Sequence, residues 1–152
     1  MKLVMSDIHR LIYVSAAREE MTPAQLDSVL AVARKNNEPI GVTGLLLFHD
    51  GSFFQVLEGP KNAVMRIFSA IERDPRHSRV IVLQTKSTDT RAFPNWSMGY
   101  VNAHALRPDQ KAHLVDLSHL VGRDAQATLS SSPAVSVHIN AFLGSFREFA
   151  DI

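Results

Sequence analysis

The chain has 152 residues, 45% of them hydrophobic and 20% charged, with sixteen basic against fifteen acidic side chains. These proportions suit one globular domain with a real core and an appendage at most, and they exclude disorder or fibrous repeats for the bulk. A formal charge of +1 lacks the basic excess with which a nucleic-acid binder neutralises phosphates, so none is expected as a partner.

In chain order, Ile8 to Ser15 is the first strand, rich in β-branched and aromatic residues and apolar on both parities, as suits a strand covered on both faces. Thr22-Pro23-Ala24-Gln25 is an N-cap with proline at the first helical position and glutamine at N3. Leu26, Val29, Leu30 and Ala33 then recur at helical spacing up to Asn36-Asn37, before Pro39. Gly41–Phe48 and Ser52–Leu57 flank Asp50-Gly51, a type I′ turn dipeptide. The resulting hairpin sets Leu46 opposite Gln55 and Phe48 opposite Phe53, which puts a carboxamide on a strongly apolar surface.

A second helix opens at Gly59-Pro60, presents Val64, Ile67, Phe68 and Ile71 on one face, and closes at Asp74-Pro75. Val80–Leu83 reads as a buried strand and Trp96–Val101 as a short final one. The order β-α-β-β-α-β-β predicts an α+β, ferredoxin-like plait with a five-stranded mixed sheet and both helices on one face. The other face needs a cover, and two helices, about 108–121 and 133–150, supply it. The expected division is a domain over 8–101 and a helical extension over 102–152.

Apolar runs such as Leu45–Phe48 and Val80–Leu83 fall far short of the roughly 20 residues that span a bilayer. The N-terminus lacks the apolar core of a signal peptide. No membrane partner and a cytoplasmic location are therefore expected. The absence of cysteine excludes a thiol nucleophile or thiolate metal site and leaves any redox chemistry to a bound cofactor or an aromatic side chain. Seven histidines show no i,i+4 pair, and no metal is expected. Phosphate-loop, dinucleotide and nucleophile-elbow signatures are absent.

Gln55, inside FFQVL, must find partners or cost about 1–3 kcal/mol as a buried unsatisfied group. Tyr13, mid-strand, is neutral at physiological pH and carries a donatable hydrogen. Asn36-Asn37 offers a donor-acceptor edge suited to a planar heterocycle. Taken singly, each has a plain structural explanation: an amide tied to backbone, a core tyrosine, a left-handed helix cap. Arg76-His77 likewise suits the C-terminal dipole of the second helix.

Taken together, these residues resemble the BLUF family, the blue-light sensors using FAD. The similarity runs over most of residues 10–101: Leu11-Ile12-Tyr13-Val14-Ser15; Asn36-Asn37 with Gly41-Val42-Thr43-Gly44-Leu45; Phe54-Gln55-Val56-Leu57-Glu58-Gly59; Asp74-Pro75-Arg76-His77; and Trp96-Ser97-Met98. The resemblance implies FAD held noncovalently between the two helices, with Tyr13 as electron and proton donor and Gln55 as the amide bridging it to the flavin. It further implies Asn36 and Asn37, with Arg76 and His77, as cofactor-binding residues and Trp96 and Met98 as the signal relay. Family members often carry a basic residue on the inner side of the second helix, where this chain has Ser69 and Ala70.

The expected function is thus a short stand-alone photoreceptor and not an enzyme. It would signal by rearranging the Tyr-Gln-flavin hydrogen bonds to a separate regulatory protein, such as a transcription factor or a cyclic-dinucleotide enzyme. The stripe Val135, Ile139, Phe142, Phe146 and Phe149 either roofs the sheet or forms a coiled-coil-like seam, and a homo-oligomer is expected. The rival readings are a ferredoxin-like single-stranded nucleic-acid-binding module and a small hydrolase with Arg76 or Arg10 holding an anion. Neither accounts for Tyr13, Gln55 and Trp96-Ser97-Met98 together.

Overall fold

Ile8–Ala17 forms β1, an interior strand of the sheet, flanked on both sides along its length. The computed structural model describes residues 8–18, 21–49, 51–100, 107–110, 112 and 133–144. Helix α1 (Pro23–Asn37) starts at a complete capping box: the Thr22 hydroxyl accepts from the Gln25 N–H at 3.1 Å, and the Gln25 carboxamide accepts from the Thr22 N–H at 2.8 Å. Asn37 keeps right-handed helical geometry and a 3-10 turn (Glu38–Ile40) follows. The left-handed residue that ends the helix is Gly41, at φ 76°, and not either asparagine.

Strands β2 (Thr43–His49) and β3 (Ser52–Gly59) form the hairpin in the expected register, with Leu46 opposite Gln55 and Phe48 opposite Phe53. The connection is two residues long, of which Asp50 lies outside the described residues. Helix α2 (Lys61–Glu72) is followed by β4 (His77–Thr88), a strand far longer than the four apolar residues that announce it, because it pairs along all of β1. Among the described residues strand β5 is Gly99–Tyr100. Trp96, Ser97 and Met98, expected within this strand, instead precede it in irregular backbone, and Val101 lies outside the described residues. The strand begins no earlier than Gly99 because packing claims the preceding residues: Trp96 gives its carbonyl to the Gly44 N–H, and a Cβ on Gly99 would meet the Trp96 indole at 2.2 Å.

The sheet order is β4-β1-β3-β2-β5, antiparallel except for β2 with β5. This is the ferredoxin-like order 4-1-3-2 with one strand added. Side-chain alternation divides the core in two. On one face Leu11, Tyr13, Leu46, Phe53 and Leu57 pack with Leu26 and Leu30 of α1 and Val64 and Phe68 of α2. On the other, Ile12, Leu45, Leu47, Phe54 and Val56 pack under helix α3 (Pro133–Gly144), where Ile139 and Phe142 are fully buried and the Phe142 ring meets Phe54 edge-on at 5.2 Å. The described part of the expected stripe therefore roofs the sheet. Phe146, Phe149 and most of the expected 108–121 helix lie outside the described residues. Among the described residues no helix is long and apolar enough to cross a membrane.

Candidate functional site

A cavity of about 210 Å3 lies between α1 and α2 with the sheet as its floor. The floor carries Tyr13, Leu46, Phe53 and Gln55; α1 contributes Val29, Ala33, Asn36 and Asn37, and α2 contributes Ile67, Ala70 and Ile71. Its walls are apolar planes with a few polar groups converging from the sheet and the end of α1, the composition of a site for a flat, amphipathic ligand.

Tyr13 and Gln55 face each other because β1 and β3 pair them directly. The phenol donates to Gln55 Oε1 at 2.5 Å, and both residues are buried. Gln55 Nε2 points to the Met98 sulfur at 3.4 Å. The amide expected to be costly is thus partnered at both ends, between a phenol and a thioether. Burial, with a smaller contribution from the Asp74 carboxylate, pushes the Tyr13 phenol well above its ordinary range, so it is a neutral donor at any physiological pH.

The two asparagines differ. Asn37 is 1% exposed and donates through Nδ2 to the Ser97 carbonyl at 3.0 Å, whereas Asn36 is exposed and lines the cavity mouth. Arg34, one turn earlier, donates through Nε to the Met98 carbonyl at 2.8 Å. The last turn of α1 therefore holds the backbone of the segment whose side chain meets Gln55. Arg34 carries no distinguishing signal in the sequence, since an arginine in a last helical turn is ordinary dipole chemistry.

At the far rim, Arg76 is exposed and forked onto Asp74, whose carboxyl it holds below the usual carboxylate range by hydrogen bonding. The Arg76 charge is thus spent on its neighbour and not on the α2 dipole. His77 serves that helix end instead: its Nε2 donates to the Ile71 carbonyl at 2.6 Å, which leaves Nδ1 to accept from the Ser15 hydroxyl at 2.7 Å. Ala70 lines the cavity and adds no charge.

Trp96 and Met98 separate onto opposite faces of the sheet. Met98 is 1% exposed and belongs to the cavity side, while Trp96 packs with the α3 side, its indole stacked on Phe93 at 5.6 Å and 13°. Among the described residues no three histidine or carboxylate side chains gather as metal ligands.

A largely apolar pocket with one phenol and three carboxamides, bordered by Asp74, Arg76 and His77, is a chromophore-type site on a ferredoxin-like sheet. The profile of the family "BLUF: Sensors of blue-light using FAD" matches residues 8–99. The blue light- and temperature-regulated antirepressor BluF of Escherichia coli (strain K12) is 37% identical over 83 residues, 55% of this chain and 21% of that protein. The photoactivated adenylate cyclase subunit beta of Euglena longa is 34% identical over 94 residues, 61% of this chain and 11% of that one. Among solved structures, the dark state of BlrB, a BLUF protein, aligns with a TM-score of 0.68 at 28% identity, covering 93% of this chain and 99% of that one. The photo-activated state of BlsA aligns with a TM-score of 0.70 at 28% identity, covering 91% and 93%.

The chain belongs to the BLUF family and is a flavin-binding blue-light sensor that takes FAD. It spans about a tenth of the length of the Euglena protein and about a fifth of the Escherichia coli one. The family does not favour the nucleic-acid or hydrolase readings. The donor set fits the cofactor: a flavin's polar edge alternates carbonyls with an N–H, and carboxamides such as Gln55, Asn37 and Asn36 present both donors and acceptors to such an edge.

Proposed function

We propose that the chain converts blue light into a rearranged hydrogen bond at Gln55, with Tyr13 as electron and proton donor, and passes the change to a separate regulatory protein without catalysing a reaction itself. The observation that carries this reading is the Tyr13 to Gln55 Oε1 bond in the cavity floor, with Met98 on the other end of the same amide. When bound, FAD supplies a blue-absorbing group whose excited state accepts an electron. Asn37 and Gln55, from α1 and β3, would hold the cofactor, with Asn36, Arg76 and His77 at the rim.

Tyr13 is suited to the donor role because its proton already lies on an acceptor, so loss of an electron and movement of the proton along one short bond are coupled. Gln55 then turns or changes tautomer, since its carbonyl and its NH2 exchange partners when the amide rotates. A donor rather than an acceptor directed at Tyr13 or the cavity is a changed pattern in a dry site, where such bonds count for more than in water. Met98, at the Nε2 end of Gln55, feels that change first and carries it with Trp96 into the segment before β5.

The output segment is 102–152, and the light-sensing unit 8–101 joins it through this segment and the sheet face beneath α3. A homo-oligomer in the cytoplasm, with a regulatory protein as partner, is the form in which such a module acts. Relatives named an antirepressor and a photoactivated adenylate cyclase support coupling to regulation. The decisive experiment is one absorption spectrum: the purified chain with FAD is yellow, and blue light moves its absorption reversibly to the red. A preparation that stays colourless after incubation with FAD refutes the reading.

A further inference from the structure

Glu58 lies three residues beyond Gln55 on β3 and therefore on the opposite face of the sheet. Its carboxylate is fully buried, an unfavourable place for a charge unless its oxygens are occupied. Both are. Oε2 accepts from Arg10 Nε at 2.8 Å and from the Ala92 N–H at 2.9 Å, and Oε1 accepts from the Phe93 N–H at 3.0 Å.

Arg10, paired with Glu58 across the strands, also reaches the Thr90 carbonyl through Nη2 at 3.5 Å. Arg91 donates to Thr43 Oγ1 at 2.9 Å and to the Glu58 carbonyl at 3.4 Å. Each residue from 90 to 93 in the connection between β4 and β5 is thus tied to the sheet through Glu58, its guanidinium partner or the strand beside it.

That connection next delivers the two side chains that separate onto opposite faces. Phe93, pinned by its N–H, provides the ring on which Trp96 stacks, so the indole stays on the Glu58 side. Two residues later Met98 lies on the other face against Gln55. The chain rounds the β2 edge between them, and the residue that meets Gln55 depends on where 90–93 is held.

We propose that Glu58 is a positioning residue for the light response: its carboxylate clamps Ala92 and Phe93, holds Arg10 beside the Thr90 carbonyl and, through Phe93, keeps Trp96 on the α3 side, so that Met98 is the neighbour of Gln55. The proposal rests on the Tyr13–Gln55 reading above. When Gln55 rearranges against Met98, the clamp resists displacement of the connection and sets the barrier to relaxation in the dark.

The test is Glu58→Gln in the full chain loaded with FAD, followed by light-minus-dark absorption, dark-recovery kinetics and the emission of Trp96, the sole tryptophan. The glutamine keeps the shape but turns an NH2 towards a guanidinium or a backbone N–H, donor against donor. The expected result is a red shift of unchanged size, with dark recovery about tenfold faster, equivalent to about 1.4 kcal/mol of barrier, and a displaced dark-state Trp96 emission. Recovery within about twofold of the unmodified chain, with the same emission, overturns the proposal. If Glu58→Gln does not fold, Phe93→Leu takes its place, since it leaves the carboxylate's hydrogen bonds intact and removes the ring under Trp96. It must change both readouts, and unchanged readouts overturn the proposal. An unmodified chain with FAD bound but no red shift refutes the underlying Tyr13–Gln55 reading instead, and the proposal with it.

Discussion

Tyr13 and Gln55 satisfy one another inside an apolar floor, so changing either leaves the other to be explained by its remaining neighbours. Tyr13→Phe keeps the ring and its packing against Phe68 at 5.6 Å and removes only the hydroxyl. The variant is expected to fold and bind FAD yet show no light-driven red shift, and Gln55→Leu is expected to be equally silent; a full, normally recovering shift in Tyr13→Phe would refute the donor role. The raised phenol also carries a stability signature. An unfolded tyrosine loses its proton near pH 10 while the folded Tyr13 keeps it, so above pH 10 the native chain binds more protons than the unfolded one and stability falls as pH rises. Chemical denaturation of the unmodified chain should show a steeper alkaline loss than Tyr13→Phe, with no difference in slope between pH 6 and 9.

Helix α3 shows how packing places an element. The apolar side of α3 is set into the sheet through Ile139, Phe142 and Leu143, and Phe142 is completely buried against Phe54. Phe142→Ala removes a buried aromatic and leaves a cavity, which costs about 3–5 kcal/mol. A lowered urea midpoint is expected, while the dark absorption of bound FAD stays as it was, because the lost ring lies on the far face of the sheet from the cofactor cavity. A shifted dark spectrum would show that the two faces are not separately packed.

For the molecule as a whole, the sheet is a wall between a cofactor face and a roofed face, and the connection from β4 to β5 touches both. A rearranged hydrogen bond shifts a docked helix by a few kcal/mol at most, so a response at α3 requires docked and released forms of similar free energy. Illumination is expected to raise amide hydrogen exchange within Pro133–Gly144 and around residues 90–98, with β1 and β3 unchanged. Equal exchange in dark and light throughout 133–144 would make α3 a fixed roof and place the output elsewhere.

Features written in neighbouring residues were legible without coordinates. The Thr22–Gln25 capping box, the Leu46–Gln55 and Phe48–Phe53 pairs and the two apolar parities of β1 follow from local spacing, because helical and strand periods put those side chains where they are. The order of elements then left few topologies for the sheet, and the motifs around Tyr13 and Gln55 identified the cofactor. Decisions made by residues far apart in the chain were not legible. Glu58 lies in view within a recognised motif, yet nothing in its neighbourhood tells that its carboxylate holds Ala92 and Phe93 across 34 and 35 positions. The same is true of the length of β4, set by β1, and of the start of β5, set by an indole lying over Gly99. Local periodicity determined which elements form and which faces are apolar; only tertiary packing decided that Met98, and not Trp96, meets Gln55, because that choice depends on where a clamped connection crosses the edge of the sheet.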